Sequence, residues 1–235
     1  PADYFILPKS QKDLISALGI IKSENIPFFI MGNGSNLLIS DEGFRGAVIR
    51  IAGTMDEIII KGDIVVAGAG AYMKKMILAA SQGGLSGLEF FAGIPAAFGG
   101  AIAMNMGTLG ISIGDNILSV KAVQKDGKIK KYSHDECLFL YRNSVFKNNK
   151  DVIIEAEIKL KKDNTPSILE RADGFLKLKA MSQPVGMRCA GCIFKNPKKN
   201  EGKAMSSGEL IESANLKGEI VGGAQVSDIH ANFIV

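Results

Sequence analysis

Between Leu85 and Asp115 the chain carries seven glycines and only two charged residues, Glu89 and Asp115. A segment that is both apolar and glycine-rich has little reason to face water; it suits backbone laid close against a flat body. Within it runs a glycine loop, Gly93-Ile94-Pro95-Ala96-Ala97-Phe98-Gly99-Gly100. An earlier one, Gly32-Asn33-Gly34-Ser35-Asn36, follows the short apolar run 28–31. Alone, the earlier loop fits only the first two glycines of a dinucleotide fingerprint, with Leu37 where the third should let a helix approach, and it reads as a tight turn. Two such loops in one lobe change the weighting. Successive backbone N–H groups form a nest for phosphate oxygens, helped by the Ser35 hydroxyl and the Asn36 amide, and two cradles fit a long anionic cofactor.

The rest of the pattern is a mixture of helix and strand. Ser10 with Asp13, and Leu14, Ile15, Leu18 and Ile21 at helical spacing, predict a capped amphipathic helix ending near Pro27. Residues 28–31 and 47–51 read as buried strands, and 58–60 with 64–66 as a hairpin around Lys61-Gly62-Asp63. A helix through Met76, Ile77 and Ala80 closes at Gly83-Gly84. A second hairpin turns at Asp126-Gly127. Residues 152–160 alternate, with Val152, Ile154, Ala156, Ile158 and Leu160 on one face and Glu155, Glu157 and Lys159 on the other, as a half-buried strand does. Pro166 marks a linker, and Ser167 with Glu170 predicts a capping box for a helix to about Met181. Ser206 with Glu209 opens another helix ending near Gly218, and a strand follows.

Composition narrows the class. With 46% apolar and 22% charged residues the chain is an ordinary globular polypeptide. No apolar run approaches the roughly 20 residues that cross a bilayer, so a membrane protein is not expected. The net charge of +4 comes from scattered lysines, which suits small anions better than nucleic acid. Three cysteines make no disulfide framework, and with no basic-apolar leader a reducing cytoplasm is the expected compartment. Pro1 follows no initiator Met, and 231–235 stop within a strand-like run, so the chain reads as cut at both ends.

Three groups carry possible chemistry. Cys189 and Cys192 have redox or zinc spacing, yet no second pair exists and neither His134 nor His230 has ligand spacing to them, so no metal site is expected. A single thiol at Cys192, in a turn defined by Gly191 and by Phe194-Lys195-Asn196-Pro197, remains as a proton donor. Tyr141-Arg142-Asn143-Ser144 sets a guanidinium among hydroxyls and amides. Composition alone pairs such an arginine with a surface carboxylate, whereas next to a flavin or a carboxylate substrate it is an anion clamp. Lys198, Lys199 and Lys203 read as a solvated turn.

Eight blocks in order now matter together: 32–38 (GNGSNLL), 84–89 (GLSGLE), 92–95 (AGIP), 99–101 (GGA), Met104-Asn105, 141–144 (YRNS), 191–197 (GCIFKNP) and 222–227 (GGAQVS). They resemble the signature blocks of the UDP-N-acetylenolpyruvylglucosamine reductase (MurB) family over nearly the whole chain. The uninterrupted run 141–147 is similar to the family's second type.

The resemblance implies an α+β architecture: an FAD-binding fold of the vanillyl-alcohol oxidase/PCMH type in two subdomains, 1–52 and 53–163, plus a C-terminal α+β substrate-binding domain, 164–235, that is C-terminally incomplete. It implies FAD and NADPH as cofactors, a sugar nucleotide as substrate, and peptidoglycan precursor synthesis in the cytoplasm, by a monomer. Cofactor residues by the same resemblance are Gly32, Asn33, Gly34, Ser35, Asn36, Leu37, Gly93, Ile94, Pro95, Gly99, Gly100, Ala101 and Asn105. Arg142 takes the role of the cation meeting the substrate carboxylate. Cys192 takes that of the proton donor, where the family usually has Ser, and Tyr141, Lys195 and Asn196 line the substrate. The family's catalytic Glu is implied to lie beyond Val235. Asn33 stands where the family often has Gly, which calls for a backbone geometry that Asn tolerates. The competing readings are an FAD-dependent oxidase or dehydrogenase of the same fold acting on another substrate, and a nucleotide-binding module without turnover.

Overall fold

The computed structural model describes residues 1–197 and 205–235; Lys198, Lys199 and Lys203 lie outside the described residues. The N-terminal segment builds a parallel three-stranded sheet from β1 (Ala2–Ile6), β2 (Phe28–Met31) and β3 (Phe44–Arg50) in the order β1-β3-β2. Helix α1 (Gln11–Ser23) crosses between the first two. The Ser10 hydroxyl accepts from the Asp13 amide at 3.1 Å, as the spacing predicts. The helix stops before Pro27 because Asn25 turns left-handed (φ 52°) and the Ile26 amide reaches back to the Ile21 carbonyl at 2.9 Å. Ala47, Val48 and Ile49 of β3 are all buried, as a central parallel strand requires.

The second sheet is antiparallel: β4 (Ile58–Lys61), β5 (Ile64–Gly68), β6 (Ile117–Val123), β7 (Ile129–Ser133) and β8 (Val152–Lys159), in the order β7-β6-β8-β5-β4. The alternation of β8 is realised, with Val152, Ile154, Ala156 and Ile158 buried. On the other face Glu155 meets Lys121 at 2.7 Å and Glu157 meets Lys131 at 3.0 Å. Helix α2 (Met73–Gln82) puts Met73, Met76, Ile77 and Ala80 into a core shared with both sheets.

Two local expectations are corrected. The glycine-rich segment is not loop throughout: it contains helix α3 (Phe98–Ala103), which buries Phe98, Ala101 and Ile102. A Cβ at Gly99 would lie 2.8 Å from the Ala69 Cβ, so glycine there lets α3 lie on the end of β5. After the short α4 (Val145–Asn149), helix α5 (Thr165–Ser182) starts two residues before Ser167, and no Ser167–Glu170 capping box forms. Asn164 Oδ1 accepts from the Ser167 amide at 3.3 Å, and Pro166 falls in the first turn, where its missing N–H costs nothing.

The chain forms two compact units, Pro1–Gly34 with Ile39–Phe175, and Ser35–Leu38 with Leu176–Val235. Both sheets belong to the first. In the second, α6 (Ser207–Ser213) opens with the expected Ser206–Glu209 capping box but ends before Gly218. The strand expected after Gly218 forms as a short antiparallel pair, Ile220–Val221 with Ala224–Gln225, and the segment beyond it adds isolated backbone pairings, Cys192 with Phe233 and Val226 with Ile234.

Candidate active site

In the larger unit β2 runs directly into Gly32, whose backbone packs against the second glycine loop. A Cβ at Gly32 would lie 3.6 Å from the Ala97 Cβ and 3.7 Å from the Gly100 Cα. Asn33 Nδ2 donates to the Pro95 carbonyl at 2.8 Å, so one side chain ties the two loops together. Asn33 stays out of the left-handed region, in contrast to the expectation for a glycine substitute; Gly34 (φ 77°) makes that turn instead. Among the described residues the amides of Gly32, Asn33 and Gly34 have no hydrogen-bond acceptor, which leaves three N–H groups in a row for an anion. The second loop is held from behind. The Phe98 and Gly99 amides donate to the Ala71 and Ala69 carbonyls at 2.9 and 2.8 Å, and Ala96 accepts from the Met73 amide at 3.0 Å. Gly93 (φ 82°) turns its start, Ile94 is packed against the core and Ala101 is buried. Ser35, Asn36 and Leu37 group with the smaller unit, and Asn36 is exposed.

The arginine turn is built onto the far end of α3. Asn105, buried and left-handed (φ 40°), accepts from the Gly114 amide and donates to the Leu140 carbonyl, both at 3.0 Å. Its amide thus faces the protein's own backbone and fixes the turn. The buried Ser144 hydroxyl donates to the Ala103 carbonyl at 2.7 Å. Leu140 and Asn143 exchange two backbone hydrogen bonds, which puts Tyr141 and Arg142 at the tip. Arg142 is held left-handed (φ 55°), a strain that persists only where surrounding contacts fix it. Its guanidinium lies 5.6 Å from the centre of the Tyr141 ring and has no carboxylate partner among the described residues. Among the described residues, the surface ion pair that composition favoured is not formed.

The smaller unit holds the other candidates. Cys192 is exposed, and its strand-like segment is pinned by Asn232, whose amide accepts from the Phe194 amide and donates to the Phe194 carbonyl, both at 2.9 Å. Lys195 offers its carbonyl to the Ser207 hydroxyl at 2.7 Å, and Asn196 Oδ1 accepts from the Ser207 amide at 3.0 Å. Lys195 is exposed while its backbone is anchored. None of the cysteines is in a disulfide. Cys137 is in the core, where burial, with a smaller push from Glu136, drives its thiol up to about 12, so it is inert.

Sequence reasoning missed Arg50. It ends β3 abreast of Met31, the residue before the first loop, and its Nε is buried with no hydrogen-bond partner among the described residues. The one available signal was a basic residue directly after the apolar run Ala47-Val48-Ile49. Taken together, unpaired amides, loops in contact and a buried unpaired guanidinium nitrogen suit a diphosphate-bearing cofactor such as FAD.

The comparisons agree with this geometry. The FAD binding domain family matches residues 2–133, and the C-terminal domain family of UDP-N-acetylenolpyruvoylglucosamine reductase matches residues 183–235. The UDP-N-acetylenolpyruvoylglucosamine reductases of Bacillus subtilis and Latilactobacillus sakei are 36% and 39% identical, each over all of this chain and 76% of the relative. The crystal structure of that enzyme (MurB) from Thermus caldophilus is 35% identical and superimposes with a TM-score of 0.83 over 98% of this chain and 80% of its own. Cholesterol oxidase from Brevibacterium sterolicum, at 14% identity and a TM-score of 0.51 over 67% of this chain and 34% of its own, shares the fold alone. The architecture is thus the α+β FAD-binding fold expected from the sequence. With paired family matches at its two ends and relatives of this identity across its length, the chain belongs to the UDP-N-acetylenolpyruvoylglucosamine reductase family.

Proposed function

We propose that the chain is an NADPH-dependent flavoenzyme that reduces UDP-N-acetylglucosamine enolpyruvate to UDP-N-acetylmuramate, a step of peptidoglycan precursor synthesis. The observation that carries this reading is the junction of the two glycine loops, where Asn33 holds Pro95 and three amides are left for a diphosphate. Residues 1–52 and 53–163 are the two flavin-side subdomains and 164–235 the substrate side. The three cysteines outside any disulfide suit a reducing cytoplasm. The protein acts as a monomer on a small-molecule substrate, without nucleic acid or membrane; among the described residues no helix is long and apolar enough to cross a membrane.

When bound, the flavin supplies two-electron transfer from NADPH to the terminal vinyl carbon of the substrate. Gly32, Asn33 and Gly34 hold its diphosphate through backbone amides, with Ser35, Asn36 and Leu37 continuing that loop. Gly93, Ile94, Pro95, Gly99, Gly100 and Ala101 form the second wall, and Asn105 fixes the turn that carries Arg142 at the end of that segment. As the vinyl carbon is reduced, negative charge moves into the substrate carboxylate as an enediolate. Arg142 meets that charge: its turn is held by backbone and side-chain hydrogen bonds and its guanidinium has no competing carboxylate among the described residues, which is how fixed donors favour a transition state over a ground state. Cys192 Sγ–H then gives its proton to the carbon next to the carboxylate, and the thiolate is reprotonated from solvent. Tyr141, Lys195 and Asn196 orient the sugar nucleotide. NADPH and one proton are consumed for each lactyl ether formed.

The test is a purified preparation that carries a flavin spectrum, bleaches with NADPH and regains colour only when the enolpyruvyl nucleotide is added. Recolouring with a different carbonyl or alcohol substrate would assign it to another reaction on the same fold, and a colourless protein that binds nucleotide would make it a binding module.

A further inference from the structure

Arg50 has a place in the flavin-side unit that its neighbours do not explain. It closes β3 in register with Met31, so it stands beside the start of the first glycine loop, and the Ile51 amide ties the next residue to the Met31 carbonyl at 2.9 Å. Its Nη2 donates to the Tyr72 hydroxyl at 3.4 Å, and its Nε is buried with no partner among the described residues. Arg45 and Arg171 have carboxylates; among the described residues Arg50 has none.

Tyr72, in turn, pairs through its backbone with Ala97 of the second loop, the residue whose Cβ faces Gly32. The Arg50–Tyr72 contact therefore links the strand that feeds one cradle with the segment that backs the other. The surrounding wall is close-packed. A Cβ at Gly53 (φ 80°) would lie 3.2 Å from the Tyr72 hydroxyl, one at Gly70 would run into the Thr54 carbonyl, and the Gly53 amide donates to the Gly70 carbonyl at 2.9 Å. The tyrosine, and through it the guanidinium, has little room to swing away.

A buried N–H of a charged group left without an acceptor is costly, and native structures normally satisfy it. Arg50 is abreast of Met31, and the three residues that follow Met31 carry unpaired backbone amides among the described residues, so one segment gathers four donors that want negative charge. We propose that Arg50, propped by Tyr72, is a phosphate-binding residue that donates Nε–H to the diphosphate of the flavin dinucleotide. This rests on the flavoenzyme reading above and adds to the backbone cradle a fixed, salt-sensitive cation.

Two other phosphate carriers could supply the same oxygen, NADPH and the sugar nucleotide, and the experiment separates them. Deflavinated full chain is titrated with FAD and with riboflavin, which lacks phosphate, by flavin fluorescence at low and high salt. Arg50→Gln is expected to weaken FAD by about 10- to 100-fold at low salt, to flatten the salt dependence and to leave riboflavin affinity unchanged. Arg50→Lys, which keeps the charge but not the planar donor, should fall between, and Tyr72→Phe should weaken FAD by a few-fold; their circular dichroism spectra control for folding. Unchanged FAD affinity in both Arg50 variants would overturn the proposal. So would unchanged FAD affinity together with a raised KM for NADPH or for the sugar nucleotide, which would give the arginine to that ligand. Failure of the unsubstituted protein to bind FAD or riboflavin would instead remove the flavoenzyme reading itself.

Discussion

Glu89 and Arg171, 82 residues apart, form an ion pair at 2.9 Å in which the carboxylate has no solvent exposure. Oε1 also accepts from Arg171 Nε at 3.1 Å and from the Ser86 hydroxyl at 2.7 Å, while Oε2 takes the Gly87 amide at 2.6 Å. The pair fastens the first turns of α5 to the start of the glycine-rich segment, and Asp163 adds a second carboxylate to the guanidinium at 2.6 Å. Burial alone would raise the Glu89 carboxyl. The Gly87 amide, the Ser86 hydroxyl and Arg171 outweigh it and hold the group below its ordinary value of 4.5.

A depressed carboxyl contributes stability that is present above its unfolded value and lost as the pH falls through the folded one. Glu89→Ala is expected to lower the unfolding free energy by about 3 kcal/mol near neutral pH, read by urea melts at saturating FAD. The difference from the unsubstituted protein should shrink below about pH 4.5. Arg171→Ala should destabilise more at pH 7 than at pH 5, since a lone buried carboxylate is relieved by protonation. A pH-independent difference in both variants would reduce the pair to packing.

Tyr132 gives the opposite sign. Its hydroxyl donates to Asp151 and accepts from Asn149 at 3.2 Å. Burial first, then the hydrogen bond to Asp151 and after it the Asp151 charge, push the phenol up to about 12. A raised value contributes stability that is complete below the unfolded value of about 10 and disappears as the pH rises toward 12. Tyr132→Phe should therefore be less stable at pH 8 and show a shallower alkaline loss between pH 10 and 12. Parallel alkaline limbs in the two proteins would contradict this.

What could be read from the sequence was whatever depends on short spacing. Ser10 and Asp13, Ser206 and Glu209, and the alternation of β8 are neighbours in the chain, and each forms as expected. The resemblance located the glycine loops and the Arg142 turn because those blocks are contiguous. Strand β1 escaped because Tyr4 and Phe5 are both exposed and show no alternation. The Asn33–Pro95 bond and the Glu89–Arg171 pair span 62 and 82 residues, and no local pattern announces them. Arg50 was missed for the same reason: its meaning lies in what surrounds Nε, not in its neighbours along the chain.

Asn33 makes the loop junction testable. Asn33→Ala removes one hydrogen bond to Pro95 while leaving the loop's backbone amides in place. FAD affinity should fall by about tenfold, with riboflavin weakened in proportion, because the second wall is loosened for the whole cofactor and not for its phosphates alone. Titration of the deflavinated protein with both ligands decides it; equal affinities before and after substitution would make the bond incidental.

Arg142 should act on the second half-reaction. Arg142→Ala is expected to slow flavin reoxidation by the enolpyruvyl nucleotide by about 10²- to 10³-fold, while flavin bleaching by NADPH and FAD retention change little. Arg142→Lys keeps the charge without the fork and should recover only part. Single-mixing absorbance traces give each half-reaction separately. A protein that loses its colour on Arg142→Ala would show that the left-handed turn serves to hold the fold.

Cys192 provides the sharpest division between chemistry and structure. A hydroxyl at this position still carries a proton to give, although it is less acidic than the thiol, so Cys192→Ser should retain substantial turnover, whereas Cys192→Ala should lose about 10²- to 10⁴-fold in reoxidation by substrate and still be bleached by NADPH. Because Cys192 and Cys189 are exposed while Cys137 is buried with its thiol raised to about 12, alkylation by iodoacetamide should modify the first two and spare the third, as peptide mass spectrometry would report. The unsubstituted enzyme should lose turnover on alkylation, while Cys192→Ser, which keeps a hydroxyl at that position, should be protected. Equal inactivation of both proteins would place the sensitive thiol at Cys189, and equally fast reoxidation of Cys192→Ala and the unsubstituted enzyme would remove Cys192 from the proton transfer.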